Sequence, residues 1–104
     1  NKLLSPGMLS KHYAPKTKVL INQKDYIKGS GLLAFGVVPK KFSKAINKFN
    51  LSPTENFLQA SELLYEGLRY LDSLNLKFIQ VMPIKNVGLG TAINDRLTRA
   101  SNNE

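Results

Sequence analysis

Two side chains that could take part in catalysis, His12 and Tyr13, lie side by side near the start of the 104-residue chain. An imidazole can act as a general base, and a tyrosine can cover a bound nucleotide with its ring or donate its hydroxyl. Base catalysis tends to require a carboxylate that fixes the histidine tautomer, and the first acidic residue in the sequence is Asp25. His12 is the single histidine and there is no cysteine, which excludes disulfides and thiolate metal sites. We therefore predict no catalytic residue and no metal site in this chain, and a role for His12 and Tyr13 in completing a site elsewhere.

The backbone around these two residues predicts an extended arm over residues 1–16. Pro6, Gly7 and Pro15 prevent a helix and interrupt strand pairing. The segment also lacks a hydrophobic period, so we expect it to be ordered only where it lies on a folded surface.

A second candidate feature is the glycine pair Gly88 and Gly90, which follows a predicted strand and opens a predicted helix. Backbone amides at such a helix start can hold an anion. The dinucleotide-binding pattern requires a third glycine where this chain has Ile93. The alternative is a tight turn between strand and helix.

The polar residues Asn94, Asp95 and Arg96 follow these glycines on the same predicted helix. They would form an anion or interdomain site with Gly88 and Gly90 if they faced the carboxyl edge of the sheet. The alternative is a solvated helix face, in which Asp95 pairs with Arg99 one turn later.

Positive charge is concentrated in the first half of the chain. Residues 1–48 hold ten lysines and one acid, whereas residues 49–104 hold five basic and six acidic residues. Two interpretations remain open, a solvated lysine surface and a binding site for a polyanion such as tRNA.

The elements that would position these residues alternate along the chain. We predict strands over residues 17–22, 31–38, 45–49 and 77–82. The spacing of apolar residues predicts helices over residues 52–73 and 91–100, the first capped by Ser52 with Pro53 at its first position. Strand–helix alternation implies parallel crossovers. The expected fold is α/β, a small Rossmann-like three-layer sandwich with a mostly parallel sheet over residues 17–104, preceded by the arm.

Several stretches of the sequence resemble two-domain threonylcarbamoyl-AMP synthases. They are Ser5-Pro6-Gly7-Met8, His12-Tyr13-Ala14-Pro15, Leu51-Ser52-Pro53-Thr54, Leu68-Arg69-Tyr70-Leu71-Asp72 and Gly88-Leu89-Gly90-Thr91-Ala92-Ile93-Asn94-Asp95-Arg96-Leu97. The first two are similar to that family's interdomain linker, and the last to the end of its C-terminal domain. Between the two linker motifs the family reads Lys-Tyr-Arg, whereas this chain has Leu9-Ser10-Lys11, so an aromatic and a cation are replaced.

The resemblance implies a part in L-threonylcarbamoyladenylate synthase, a nucleotidyltransferase. Such enzymes convert threonine, bicarbonate and ATP with Mg into threonylcarbamoyl-AMP and pyrophosphate, and the product serves a tRNA modification. It also implies that catalysis belongs to an N-terminal YrdC-type domain of the same protein and that the linker closes over its active site. This chain would then be an accessory gating domain, inactive alone and without a cofactor of its own.

Two other functions remain as alternatives. The basic first half would suit a tRNA-binding module, and Gly88 to Arg96 would suit a free-standing domain that binds a small molecule. No apolar run approaches the ~20 residues of a membrane helix, and we expect a fragment of a longer cytoplasmic protein with no membrane partner.

Overall fold

A four-stranded parallel sheet forms the centre of the fold. The computed structural model describes residues 14–103. Its strands are β1 (Val19–Leu20), β2 (Gly31–Ala34), β3 (Lys48–Asn50) and β4 (Ile79–Val81). The order across the sheet is β1-β4-β2-β3, and every neighbouring pair is parallel. β2 is buried along its whole length, which explains why its sequence is apolar at consecutive positions.

Two α-helices cover one face of this sheet. Helix α1 (Phe57–Asp72) contacts β2, β3 and β4, and helix α2 (Leu89–Ser101) contacts β1 and α1. The predicted apolar stripe of α1 supplies much of the shared core. The core residues contributed by the two helices are Ala60, Leu64, Leu68, Leu71, Ile93, Leu97 and Ala100. Among the described residues, no helix is long and apolar enough to cross a membrane.

The opposite face of the sheet is covered without an α-helix. A 3-10 helix, Lys40–Phe42, inserts the fully buried ring of Phe42 against this face. Tyr26, in the segment between β1 and β2, packs against the same cluster. The predicted α/β class, the parallel sheet and the three-layer arrangement are therefore confirmed, and the third layer consists of loop and 3-10 helix.

Helix α1 begins later than predicted. Ser52 is not its N-cap; the cap is Asn56, whose side chain accepts a hydrogen bond from the backbone of Gln59 at 2.9 Å. The residues between Ser52 and Asn56 form a turn in which Glu55 has a φ of 61°. Ser52 still satisfies the backbone locally, because its hydroxyl accepts from the Asn56 N–H at 2.8 Å.

Strand β2 also ends sooner than its apolar sequence predicts. Pairing stops at Ala34, and Gly36 turns the chain away with a φ of 78°. Val37, which the pattern placed inside the sheet, is 85% exposed. The turn brings Asn50 within reach, and its side chain donates to the Gly36 carbonyl at 2.9 Å.

Candidate functional site

The arm joins the domain at the amino edge of the sheet, where the strands begin, and Asp72 holds it there. The Asp72 carboxylate accepts from the Thr17 backbone at 2.9 Å and from the Thr17 hydroxyl at 2.8 Å. It also accepts from the Lys16 backbone at 3.3 Å. Asp72 lies at this edge because α1 carries the chain back to the start of β4. The last two predicted linker residues adjoin this contact, with Ala14 half-buried and Pro15 buried.

The other predicted linker residues cannot be placed. Ser5, Pro6, Gly7, Met8, His12 and Tyr13 lie outside the described residues. Their assignment to a linker that closes over another domain stays a prediction.

A groove of about 490 Å³ opens at the opposite, carboxyl edge of the sheet. It is bounded by Ile21 and Asn22 after β1, by Met82 after β4, and by Asn94 and Asp95 on α2. The chain leaves β1 toward the 3-10 helix face but leaves β4 toward the α-helical face. Ligands of α/β proteins commonly bind where neighbouring strands diverge in this way.

Asn94 and Asp95 are the two predicted site residues that line this groove. The Asn94 side chain donates to the Ile84 carbonyl at 2.8 Å, so it fastens the loop that follows β4. Asp95 accepts from Arg99 at 3.0 Å, and both side chains of this ion pair are more than half exposed. A pair of this kind contributes little to stability because water screens it.

The two glycines at the start of α2 have structural reasons for their identity. A β-carbon at Gly90 would lie 2.0 Å from the Lys85 carbonyl oxygen, so only glycine fits there. The Gly90 N–H donates to the Val87 carbonyl at 2.8 Å. Gly88 is exposed with a φ of 53° and a ψ of −132°, a conformation that favours glycine. These contacts account for a tight strand-to-helix turn, and the anion site predicted here stays untested.

Arg96 points away from the groove, toward α1. It lines a separate pocket together with Tyr65, and its guanidinium donates to the Ala92 carbonyl at 3.3 Å. Burial raises the pKa of the Tyr65 hydroxyl above its ordinary value, and Arg96 opposes that shift in part. Arg96 therefore does not line the groove that Asn94 and Asp95 line.

Lysine side chains surround a second groove of about 740 Å³ on the 3-10 helix face. We call this the lysine surface; its residues are Lys28, Lys40, Lys41, Lys44, Tyr26 and Ile46. Ile46 is 90% exposed, and Asp25 is the acidic residue in the lining. The excess of positive charge read from the sequence is thus partly gathered on one face.

Two polar residues were not predicted from the sequence to hold the fold together, although Asp72 stands in one of the family-like stretches. Gln80 is fully buried in β4, where its side chain accepts from the Ile27 backbone at 2.9 Å and donates to the Asp25 carbonyl at 2.8 Å. The sequence signal for Gln80 was the presence of a glutamine within an otherwise apolar strand. The sequence signal for Asp72 was its place at the predicted end of a helix, where an acid is unfavourable because it opposes the helix dipole. Within residues 14–103, no three potential ligands lie close enough to hold a metal ion.

Comparison with known families decides where this fold belongs. Residues 1–102 match the sequence model described as "threonylcarbamoyl-AMP synthase, C-terminal domain". The chain belongs to this family. The match covers the arm as well as the domain, and it confirms the resemblance inferred from the motifs.

A solved structure shares the fold of this member of the threonylcarbamoyl-AMP synthase C-terminal domain family. It is the crystal structure of Sua5 from P. abyssi complexed with L-threonine, with a TM-score of 0.68 and 22% sequence identity. The superposition covers 95% of this chain and 32% of the P. abyssi chain. The chain therefore spans about a third of the length of that structure.

Proposed function

We propose that this chain is the accessory C-terminal domain and linker of an L-threonylcarbamoyladenylate synthase. In this proposal a YrdC-type catalytic domain of the same protein binds ATP with Mg, threonine and bicarbonate. The arm closes over that active site while the α/β domain anchors it. The observation that carries the proposal is the family match, which runs through arm and domain together over residues 1–102.

The chemistry of the arm suits a lid. Pro6 and Pro15 restrict the unbound arm, which reduces the entropy lost when it docks. Gly7 permits close approach of its backbone, and the Tyr13 ring can cover a nucleotide. The product is a mixed anhydride that water would destroy, so excluding water protects it.

The anchoring seen at the arm's base supports the same assignment. Thr17 and Lys16 are bonded to Asp72 at one end of the domain, and Pro15 is buried beside them. A lid needs a fixed base and a free tip, because its tip can then sample the open and closed positions reproducibly.

Pyrophosphate release tests the proposal. The assay compares the isolated chain with a joined enzyme, in which this chain follows a YrdC-type catalytic domain. We expect no ATP- and threonine-dependent release from the isolated chain and ready release from the joined enzyme. Activity of the isolated chain would contradict the proposal.

Substitution of Tyr13 in the joined enzyme tests the arm itself. We expect Tyr13→Ala to lower kcat/KM by roughly tenfold, about the effect of removing one hydrogen bond to a ligand. Tyr13→Phe separates the ring from the hydroxyl. Leu58→Ala, at an exposed position on α1, is the control and should leave turnover unchanged. Unchanged kcat/KM in Tyr13→Ala would count against a lid.

A second candidate function, tRNA binding, is favoured by the lysine surface. Lysines attract phosphates as point charges, and Tyr26 and Ile46 add partly exposed apolar area. The test is a tRNA titration of the joined enzyme over a salt series. Exchange of Lys40, Lys41 and Lys44 for glutamine should reduce the salt slope by about 1 for each of these lysines that pairs with a phosphate. Lys77→Gln and Lys85→Gln, which each remove one lysine outside the lining of this surface, are the controls for single exchanges. Absence of binding at moderate salt removes this candidate.

A further inference from the structure

Hydrogen bonds hold both walls of the groove at the carboxyl edge of the sheet. Gln23 fastens the loop after β1, because its N–H donates to the Val81 carbonyl at 3.3 Å and its side chain donates to the Ile21 carbonyl at 3.1 Å. On the opposite wall, the Asn94 side chain donates to the Ile84 carbonyl at 2.8 Å and fastens the loop after β4. Because these walls are already ordered, little conformational entropy is lost when a ligand enters the groove.

The lining of this groove combines apolar and uncharged polar side chains. Its volume of about 490 Å³ falls within the range of small-molecule sites. Apolar surface comes from Ile21 and Met82, next to the ends of β1 and β4, and amide and hydroxyl groups come from three further lining residues, Asn22, Thr91 and Thr98. Within the described part of the chain, these three side chains form no hydrogen bond with another residue, so their polar groups are open to a ligand.

The charge in the lining comes from Asp95, among the residues that the structure describes. An anionic ligand would lie against this carboxylate, with no lysine or arginine in the described lining to compensate it. A cationic ligand would meet a carboxylate already paired with Arg99 at 3.0 Å, on a chain with a net charge of +8. An uncharged ligand avoids both penalties, and the carboxylate can still accept hydrogen bonds from it.

The chemistry of these groups suits a molecule that carries both a diol and a planar ring. A carboxylate has two acceptor oxygens, so it can accept from both hydroxyls of a vicinal diol. The apolar surface of Ile21 and Met82 suits the face of a ring. A ribonucleoside has both features in one uncharged molecule, and ligands of parallel α/β sheets commonly bind at this edge.

We propose that this groove binds an uncharged ribonucleoside. Asp95 accepts from the ribose hydroxyls, and the side chains of Asn22 and Thr98 supply further hydrogen bonds. Ile21 and Met82 contact the base. The site is built from described residues, and it depends on neither the lid nor the lysine surface.

Titration of the chain with nucleosides, followed by NMR, tests the proposal. We expect adenosine and uridine to bind saturably and to shift the resonances of Ile21, Met82 and Thr98. A dideoxy analogue without the ribose hydroxyls and a methyl riboside without the base should each bind roughly tenfold more weakly than adenosine, because each loses at least one favourable contact. AMP should also bind more weakly, because its phosphate would approach the Asp95 carboxylate.

Substitutions in the chain test the individual contacts. Asp95→Asn keeps the size of the side chain but removes its charge, and we expect it to bind adenosine roughly tenfold more weakly. Arg99→Gln breaks the same ion pair but leaves the carboxylate in place, so its loss of affinity should be smaller. Asn22→Gly should weaken binding without straining the backbone, because Asn22 has a φ of 54°. Lys85→Gln, at an exposed position outside the lining, is the control and should bind as the parent does.

Several results would overturn the proposal. They include absence of saturable adenosine and uridine binding at millimolar concentration, and resonance shifts confined to residues outside the groove. Tighter binding of AMP than of adenosine would identify an anion site instead, and equal binding of the methyl riboside would identify a site for polyols without a base. Equal losses in Asp95→Asn and Arg99→Gln would remove Asp95 from contact with the ligand. None of these measurements involves pyrophosphate release, so their failure would leave the proposed synthase function intact.

Discussion

At Gly90, the Lys85 carbonyl oxygen occupies the space that a β-carbon would need. The distance to an ideal β-carbon is 2.0 Å, and the ring of Phe57 follows at 3.2 Å. The first obstacle is backbone, which cannot rotate aside as a flexible side chain can. Gly90 therefore fixes how closely the loop after β4 approaches the start of α2.

We expect Gly90→Ala to lower the free energy of unfolding by about 1–3 kcal/mol, even though alanine favours helix more than glycine does. Chemical denaturation of the chain measures this loss. Thr98→Ala, at an exposed position of the same helix, should change stability by less than about 0.5 kcal/mol. Equal stability of Gly90→Ala and the parent chain would contradict the close approach.

Tyr65 predicts a dependence of stability on alkaline pH. Because burial raises its pKa above 10.0 in the folded chain, the unfolded chain releases the proton at lower pH. The stabilisation is complete below about pH 10 and is lost as the pH rises through the folded pKa. We expect the free energy of unfolding to fall less steeply in Tyr65→Phe than in the parent over about pH 9 to 11. The free energy of unfolding can be measured by urea denaturation at each pH. An equal dependence on pH in the parent and in Tyr65→Phe would contradict this assignment.

At the scale of elements, the start of α1 shows why a boundary was misplaced. The sequence analysis placed the cap at Ser52, whereas the structure places it at Asn56, and both residue types are favoured at this position. The choice depends on the exit from β3, where Asn50 accepts from the Ser52 N–H at 3.0 Å. The apolar period of α1 and the order of elements were predictable because each is a local pattern. The turn at Gly36 was not, because it depends on contacts with Asn50 across the sheet.

We expect Asn56→Ala to destabilise the chain by about 1 kcal/mol, since it removes the acceptor for the Gln59 N–H. Asn56→Asp keeps that acceptor and adds a charge that the helix dipole favours, so stability should be kept or slightly raised. Thermal or chemical unfolding of both variants decides the point. If Asn56→Ala were as stable as the parent, the Asn56 side chain would not stabilise the start of α1.

At the scale of the whole molecule, the described residues of the predicted linker and two residues of the other predicted site lie at opposite edges of one sheet. Ala14 and Pro15 belong to the amino edge, whereas Asn94 and Asp95 line the groove at the carboxyl edge. The motifs indicated the family because each is a short run of consecutive residues, which can be read directly from the sequence. They could not indicate how the base of the arm is attached, because Thr17 and Asp72 are 55 residues apart and form their hydrogen bonds only in the folded chain.

Within the described residues, the base of the arm contacts the amino edge of the sheet and does not line the groove. The lysine surface lies on the 3-10 helix face of the sheet.

The survival of the adenylate tests the lid most directly. A single-turnover reaction of the joined enzyme yields pyrophosphate together with intact threonylcarbamoyl-AMP or, after hydrolysis, AMP. We expect the AMP formed per pyrophosphate to rise several-fold when a glycine–serine segment replaces residues 1–13, because water then reaches the mixed anhydride. The same ratio and the same turnover with either arm would contradict the lid.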